Sequence, residues 1–229
     1  MLRGLAMTLK LFVWTLLLSL PAGLPFALFS VSRFWPLRVF SHVYIWAFRG
    51  TPLMLQLFFF YFGLGIMVND LGKTDHWLAQ LVVNSWLVKF ILQSRFNIAV
   101  LTFAMNYAAY FAEIYRAGIQ SIDSGQYEAA KTLGFTRTRT MFRIIIPQTI
   151  SRIIPPVCNE TITLVKDTAL VYVISLPELM KAARDAANRD TNTTPYVLAA
   201  ACYLGITLVL TQVYRKLEKR SSRHEREAV

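Results

Sequence analysis

Several ionisable and amide side chains stand inside apolar stretches of this 229-residue chain. Asn106 and Glu113 share one such stretch and, seven residues apart, fall on nearly the same face of a helix. A charged group inside a bilayer is costly unless it is paired or lines a wet cavity, so both are candidates for binding a polar solute. Two alternatives stay open: Glu113 can form an ion pair with Arg116, and Asn106 can make an ordinary hydrogen bond between helices.

A second group of polar residues follows the Pro155-Pro156 pair. Its members are Asn159, Glu160, Lys166, Asp167 and Thr168. A zwitterionic solute carries a cationic and an anionic group, so its site needs both acceptors and donors. We expect Asp167, Asn159 and Asn106 to accept from the cationic group, and Thr168 with free backbone amides near the proline pair to donate to the anionic group. The alternative is a structural ion pair between the adjacent lysine and aspartate at the outer membrane edge.

The composition places these side chains in a membrane protein. Hydrophobic residues make up 55% of the chain and charged residues only 16%, against roughly 25% charged residues in a soluble domain. Apolar runs of about 20 residues recur along the whole length, which predicts one all-α, polytopic membrane domain over residues 1–229. The net charge of +11 gathers at the ends of these runs and in the C-terminal tail, a topology signal rather than a nucleic-acid surface. The two cysteines have neither disulfide nor metal-site spacing.

Hydropathy predicts about five transmembrane helices. They cover about residues 8–29, 52–68, 96–118, 147–174 and 196–214. The fourth is interrupted by prolines and charged residues, whereas Thr51-Pro52 forms a good start for the second. Residues 75–95 are also apolar, but His76 and Lys89 leave too few uncharged residues to cross, so an interfacial helix is the preferred interpretation.

Charge asymmetry predicts the orientation. The C-terminal tail, "RKLEKRSSRHERE", is strongly basic and therefore predicted to be cytoplasmic, and five spans then place the N-terminus outside. The loop that holds Arg33, Arg38 and Arg49 falls inside, as does the basic loop of about residues 119–146. The first apolar run is long for a signal peptide, so a retained span is expected.

The inside loop contains the short stretch "GQYEAAKTLGF", residues 125–135. Asp123 or Ser124 can cap the start of a helix there, and Gln126, three residues after Asp123, approximates a capping box. Gly134 can take the left-handed conformation that closes the helix. A helix of two to three turns is marginal in water, so it must pack against something.

The surface of this short helix predicts close contact with a partner. Ala129 and Ala130 give it a low-relief face that lets another backbone approach. A second helix, "TRTRTMFRIII", follows at once and is expected to end near Pro147. The residues alone leave two interpretations open, a tight loop packed on its own protein and a docking element for another subunit.

The pattern Glu128-Ala129-Ala130, with Gly134 four residues later and an apolar run that ends at Pro147, resembles the cytoplasmic EAA loop of bacterial ABC importer permeases. In that family the loop is the coupling helix, which inserts into a groove on the cytoplasmic ATPase. The resemblance implies a type I ABC importer permease fold. It also implies that the ATPase-coupling residues are Gln126, Glu128, Ala129, Ala130 and Gly134.

Further motifs resemble the permeases of polar amino-acid uptake systems, such as those for histidine, glutamine and arginine. "FRGTPLMLQLFFFYFG" resembles their RGTP segment, "AAYFAEIYRAGIQSI" their AYxAEIxRGGI segment, and "IIPQTISRIIPPVCNETITLVKDTAL" the segment with ILPQA and KDTSL. The similarity covers most of residues 40–215 in the family's order. Small departures, such as Ala117 for glycine and Ala169 for serine, touch no charged position.

The resemblance implies a set of partners. These are a second permease subunit, identical or homologous, two cytoplasmic ATPase subunits, an extracytoplasmic amino-acid-binding protein and an amino-acid substrate, in a bacterial inner membrane. ATP and Mg²⁺ would bind the ATPase, and we expect no cofactor, metal or catalytic site in this chain. Gly72-Lys73-Thr74 does not complete a P-loop, because Met67 stands where its first glycine belongs. The rival interpretation is an ion- or proton-coupled secondary transporter or channel that uses Glu113 and Asp167.

Overall fold

The structure, a computed structural model, describes residues 1–73 and 77–227, and all its elements in these ranges are helical. The α-helices are α1 (Leu2–Ser30), α2 (Trp35–Gly50), α3 (Leu53–Phe58), α4 (Leu64–Gly72), α5 (Trp77–Asn84), α6 (Trp86–Leu92), α7 (Arg95–Gln120), α8 (Ser124–Thr132), α9 (Arg137–Thr140), α10 (Ile146–Asp167), α11 (Leu179–Asp190) and α12 (Thr194–Glu227). A π-helical turn joins α3 to α4 and another joins α9 to α10, and a 3₁₀ segment, Thr168–Ile174, follows α10. The predicted all-α class is confirmed.

Four helices of the described residues are long and apolar enough to cross a membrane. They are Leu2–Ser30, Leu53–Gly72, Arg95–Gln120 and Thr194–Lys219. Each contains one predicted span. The fifth predicted span, 147–174, is mostly α10, which is outside this set because four charged side chains lower its hydropathy. At 22 residues α10 is about 33 Å long.

Helix α7 forms the centre of the fold. It packs along α1 and also contacts α2 and α10, and most of its side chains are buried. Small side chains on α1 allow the close approach: a Cβ added at Gly23 would lie 3.1 Å from the Ala108 carbonyl oxygen. Helices in lipid associate by such close packing rather than by a hydrophobic drive, so this face sets the α1–α7 distance.

The predicted inside loop with Arg33, Arg38 and Arg49 is wrong in one respect, because residues 35–50 form helix α2. Proline near its first turn favours the helix start. Ser41 donates to the Phe26 carbonyl oxygen at 2.6 Å and Tyr44 to that of Met105 at 2.6 Å, so α2 is fastened to α1 and α7. Its basic side chains lower the hydropathy of this segment, so the hydropathy pattern did not predict the helix.

Two proline predictions are also corrected. The helix before Pro147 does not end there, because the π-helical turn Met141–Ile145 carries the chain into α10. The wider turn leaves room where the proline ring would clash with the preceding turn. Pro155 and Pro156 do not break the chain either, since α10 runs through both. Both residues fix φ at a helical value, and membrane helices tolerate them.

The segment after α4 gives two short helices, α5 and α6, instead of the single interfacial helix expected over residues 75–95. Neither is long enough to cross a bilayer. Trp77 and Trp86 are exposed, as tryptophans at headgroup level would be. Thr74 and His76, which the sequence analysis named, lie outside the described residues, as does Asp75.

Glu178 joins helices α11 and α12 at one end of the bundle. It is fully buried and caps α11, accepting from the amides of Met180 and Lys181, both at 2.6 Å. Its carboxylate also accepts from the Tyr203 hydroxyl of α12 at 3.0 Å, and the neighbouring Leu179 amide donates to Thr8 of α1. Burial raises the pKa of Glu178, although these donors act in the opposite direction.

Candidate polar path and docking helix

Helix α7 carries a line of polar side chains on one face. Tyr107 donates to the Asp167 carboxylate of α10 at 2.7 Å. Tyr110, three residues on, has the Arg49 guanidinium of α2 5.2 Å from its ring centre. Glu113, three residues further, lies 3.7 Å from Arg49. Polar groups of α2, α7 and α10 therefore meet along one line beside α7.

The two ends of this line differ in charge. At one end, Glu113 accepts from Arg116 Nε at 2.8 Å and from a second guanidinium nitrogen, which is the ion pair that the sequence left open. Arg49 adds a second positive charge, so Glu113 is well neutralised. Asp167, at the other end, and Glu160, two helical turns before it on α10, are both partly buried. Among the described residues, neither forms an ion pair within 4 Å.

Two partly buried carboxylates with no described cation within 4 Å are unfavourable unless a cation or water reaches them. Glu160 and Asp167 are seven residues apart on α10 and so share a helix face. The hydroxyl of Tyr107 satisfies one acceptor position of Asp167 and leaves others free. This end of the line can therefore accept hydrogen bonds from an ammonium or guanidinium group.

Asn106 fastens the junction between α2 and α3 to the middle of α7. Its amide donates to the Phe48 carbonyl oxygen and to Gln56 Oε1, both at 3.0 Å. Gln56 in turn donates to Phe48 and to Thr51. Both amide hydrogens of Asn106 are thus used between helices. Because Asn106 precedes Tyr107, the junction lies at nearly the same level as Asp167.

The junction between α2 and α3 supplies backbone donors at an exposed break in the chain, since Thr51 and Pro52 are both exposed. The chain leaves helical geometry at Thr51-Pro52 and begins a new helix at Leu53. The first amides of a helix have no acceptor within it and attract anions. Free amides were expected near Pro155-Pro156, but the discontinuity lies here instead. Helix α3 also packs against the Thr168–Ile174 segment that follows Asp167.

Other candidates from the sequence lie outside this line. Thr168 is fully buried, and its hydroxyl donates to the Val165 carbonyl oxygen at 2.6 Å. Asn159 is exposed, about 100° around α10 from Glu160. Among the described residues, no ion pair within 4 Å joins Lys166 to Asp167, so their expected structural pairing is not seen.

The line also contains residues that were not singled out from the sequence. Arg49 had been assigned to a loop, and Tyr107 and Tyr110 had no assigned role. A signal for the tyrosines was present, since they precede Glu113 at intervals of three residues. For Arg49 the signal was its place directly before the Gly-Thr-Pro break.

The capping of α8 follows the sequence prediction in two respects. Asp123 Oδ1 accepts from the Gly125 amide at 2.6 Å, and Gly134 has a left-handed φ of +74°. The amides of Gly134 and Phe135 bond to carbonyl oxygens of the last turn at 3.0 and 2.9 Å, the Schellman arrangement. The capping box is not formed, because Gln126 instead accepts from Gln148 at 3.3 Å.

One face of α8 packs inward and another is open. Ala130 is 1% exposed, whereas Gln126, Ala129 and Leu133 are exposed and share a face at spacings of three and four residues. Leu133 is 73% exposed and was missed from the sequence, although its position four residues after Ala129 was a signal. Glu128 is exposed on a neighbouring side. An apolar, low-relief face at this position is available for a partner.

Helices α7 and α10 are joined to each other and to the start of α8. Arg152 of α10 donates to the carbonyl and hydroxyl oxygens of Ser121, just before α8. A Cβ added at Gly118 would lie 2.2 Å from an Ile153 methyl carbon, so the two helices touch directly there. The same helices carry Tyr107 and Asp167, so a displacement of α8 reaches the polar line through two continuous helices.

Comparison with known proteins gives consistent matches. Residues 19–223 match the family described as "Binding-protein-dependent transport system inner membrane component". The chain is 36% identical to the arginine transport system permease protein ArtQ of Bacillus subtilis over 96% of this chain and 91% of the relative. It is 32% identical to the putative glutamine transport system permease protein GlnP of Rickettsia typhi, over 95% and 91%. A crystal structure of an amino acid ABC transporter with histidines superposes with a TM-score of 0.79 at 35% identity, over 96% of this chain and 92% of that chain.

Proposed function

We propose a transport path for this chain, which belongs to the family of binding-protein-dependent transport system inner membrane components and is the membrane-spanning permease subunit of an ATP-driven amino-acid importer. The path is the polar line beside α7. The observation that carries the proposal is the partly buried carboxylate of Asp167, at the level of the helix break at Thr51-Pro52, with Glu160 two turns before it; neither has a cation within 4 Å among the described residues.

The charges along the path fit the two ends of an amino acid. Its ammonium, or a cationic side chain, binds the Asp167 and Glu160 carboxylates. Its carboxylate binds the first amides of the helix that begins at Leu53, with Arg49 nearby as a compensating charge. Asn106 acts as a positioning residue, since its amide holds the α2–α3 junction in place. Asn159 and Thr168 do not contact the amino acid in this arrangement.

The chain is the membrane-embedded part of a larger ABC transporter with ATPase and substrate-binding components. Two ATPase subunits and a second permease copy or homologue complete the proposed assembly. Ala129, Leu133 and Gln126 form the contact face toward the ATPase, with Glu128 beside it. Closure of the ATPase pair moves α8, and α7 and α10 transmit the movement to the path, which opens alternately to the two sides.

A transport assay tests this function against a gradient-driven carrier. The permease, its ATPase, its binding protein and any second permease are reconstituted in vesicles, with labelled arginine, histidine or glutamine supplied on the binding-protein side. We expect uptake only with ATP and Mg²⁺ on the ATPase side, unchanged by a protonophore. Uptake that needs an ion gradient and no ATP would establish the secondary-transporter alternative, in which Glu160 and Asp167 carry the coupling ion.

The orientation is a separate prediction. We propose that α10 is the fifth crossing, because it packs between α7 and α12, which puts the N-terminus outside and the C-terminus in the cytoplasm. In a chain with Cys158 and Cys202 replaced by serine, a cysteine at Ser221 should react with an impermeant thiol reagent only from the cytoplasmic side. A cysteine at Thr191 should react only from outside. Both should react in permeabilised membranes, and the reverse pattern would contradict the five-span topology.

A further inference from the structure

A cavity of about 650 Å³ lies where α1 and α7 end and where α2 and α8 begin. It adjoins the polar path at Arg116, the partner of Glu113, and lies at the end of the path that is away from Asp167. Its lining includes Ser30, Arg38, His42, Arg116, Gln120 and Tyr127. Four helix ends thus border one open pocket, in which the start of α8 forms one side.

The pocket presents donors and positive charge. Arg38 and His42 lie four residues apart on α2, on the same face, and Arg116 faces them from α7. Glu113 partly neutralises Arg116, but the Arg38 side chain forms no ion pair within 4 Å in the described part of the chain. The Ser30 hydroxyl already donates to the Ala27 carbonyl oxygen at 2.6 Å. An anion is the ligand that this set of groups fits.

The surroundings of the pocket place that anion at the lipid headgroups. Phe34 and Trp35, at the start of α2, are 62% and 65% exposed, as aromatic side chains at a bilayer surface are. Val39, Val43 and Trp46 continue an exposed apolar stripe along the same helix. Acyl chains can lie against this stripe while a headgroup enters the pocket beside Arg38.

We propose that this cavity binds the phosphate headgroup of an anionic phospholipid. Arg38 and His42 donate to the phosphate oxygens, and Arg116 closes the opposite side of the pocket. Since Ser124 and Tyr127 of α8 also line the cavity, the bound lipid braces the docking helix against α2. The site takes no part in substrate binding and does not depend on which amino acid is carried.

Native mass spectrometry of the full-length chain tests the proposal. The purified protein is released from detergent with phosphatidylglycerol or phosphatidylcholine, and the retained lipid is counted. We expect phosphatidylglycerol to be retained in preference, with a loss of affinity of about fivefold in Arg38→Gln and more in the double variant with His42→Gln. Arg38→Lys should keep most of the retention. Arg33→Gln removes the same charge nearby, does not line the pocket, and should retain lipid as the unmodified chain does.

Three outcomes would overturn the site. These are equal retention of the two lipids, unchanged retention in the double variant, and an equal loss in Arg33→Gln, which would indicate a diffuse charge effect. A further sample in the same experiment contains excess inorganic phosphate. If phosphate displaces phosphatidylglycerol at matched ionic strength, the ligand is a soluble anion and the lipid assignment fails. Because the readout is lipid retention, failure here leaves the transport function untouched.

Discussion

Asp167→Asn should abolish uptake while the transporter still assembles and hydrolyses ATP. The substitution keeps the shape of the side chain and an acceptor oxygen for the Tyr107 hydroxyl, which lies 2.7 Å away in the native chain. It removes only the charge, which in our proposal holds the substrate's cationic group. Loss of one partner from a desolvated charge pair costs about 2–5 kcal/mol, so kcat/KM for uptake should fall at least about thirtyfold.

Variants at other positions distinguish the effect of losing the charge from effects on the fold. Tyr107→Phe removes one hydrogen bond, worth about 1 kcal/mol, and should lower uptake only a few-fold. Lys166→Ala changes an exposed adjacent residue and should leave uptake unchanged. Glu113→Ala should have a smaller effect than Asp167→Asn, because Arg116 and Arg49 already neutralise that carboxylate. Normal uptake by Asp167→Asn would leave only a structural role for this carboxylate.

The sequence predicts the membrane helices well because lipid imposes a simple rule on them. An uninterrupted apolar run of about 20 residues must form a helix, since its backbone has no other partners. Helix α2 is not predicted by this rule. Arg38, His42 and Arg49 lower its hydropathy, and only contacts with α1 and α7 reveal that it is part of the bundle. Such contacts join residues far apart in sequence.

The candidate site also has features that depend on local sequence and features that depend on contacts between distant residues. The caps of α8 were predictable because Asp123 and Gly134 act on their own backbone. Tertiary structure decides which carboxylates are paired. Arg116 lies one helical turn from Glu113, but Arg49 comes from another helix, and no described cation lies within 4 Å of Asp167. The position of the helix break likewise depends on Asn106 and Gln56, which hold the Thr51-Pro52 junction. Proline alone did not locate it, since α10 runs through two prolines.

Gly134→Val should weaken ATPase binding and ATP-driven uptake without affecting membrane insertion. The native φ of +74° is a conformation that side chains with a branched Cβ rarely adopt. A Cβ at this position meets nothing within 4 Å, so the effect comes from the backbone alone and amounts to about 1–3 kcal/mol. The chain can bear this strain or lose the two closing hydrogen bonds to the last turn of α8.

Loss of those bonds displaces the contact face. Helix α8 has only nine residues and is marginal without its caps, so Leu133 and Ala129 leave their positions when the last turn opens. Few other contacts are available to a helix this short. We therefore expect ATP-driven uptake and co-purification of the ATPase to fall about tenfold or more, with smaller losses for Glu128→Lys and Ala129→Trp.

The matched control for this variant is Gly134→Asn. Asparagine tolerates the left-handed conformation. The Gly134→Asn variant should therefore retain most of the uptake, although it adds a side chain larger than that of alanine. Amounts of chain in the membrane should be equal for both variants, because α7 and α10 are fastened to each other at Gly118 and Ile153 rather than through Gly134. If Gly134→Val kept full uptake and bound the ATPase normally, the closing turn of α8 would have no part in coupling, and the gradient-driven carrier would become the better account of this chain.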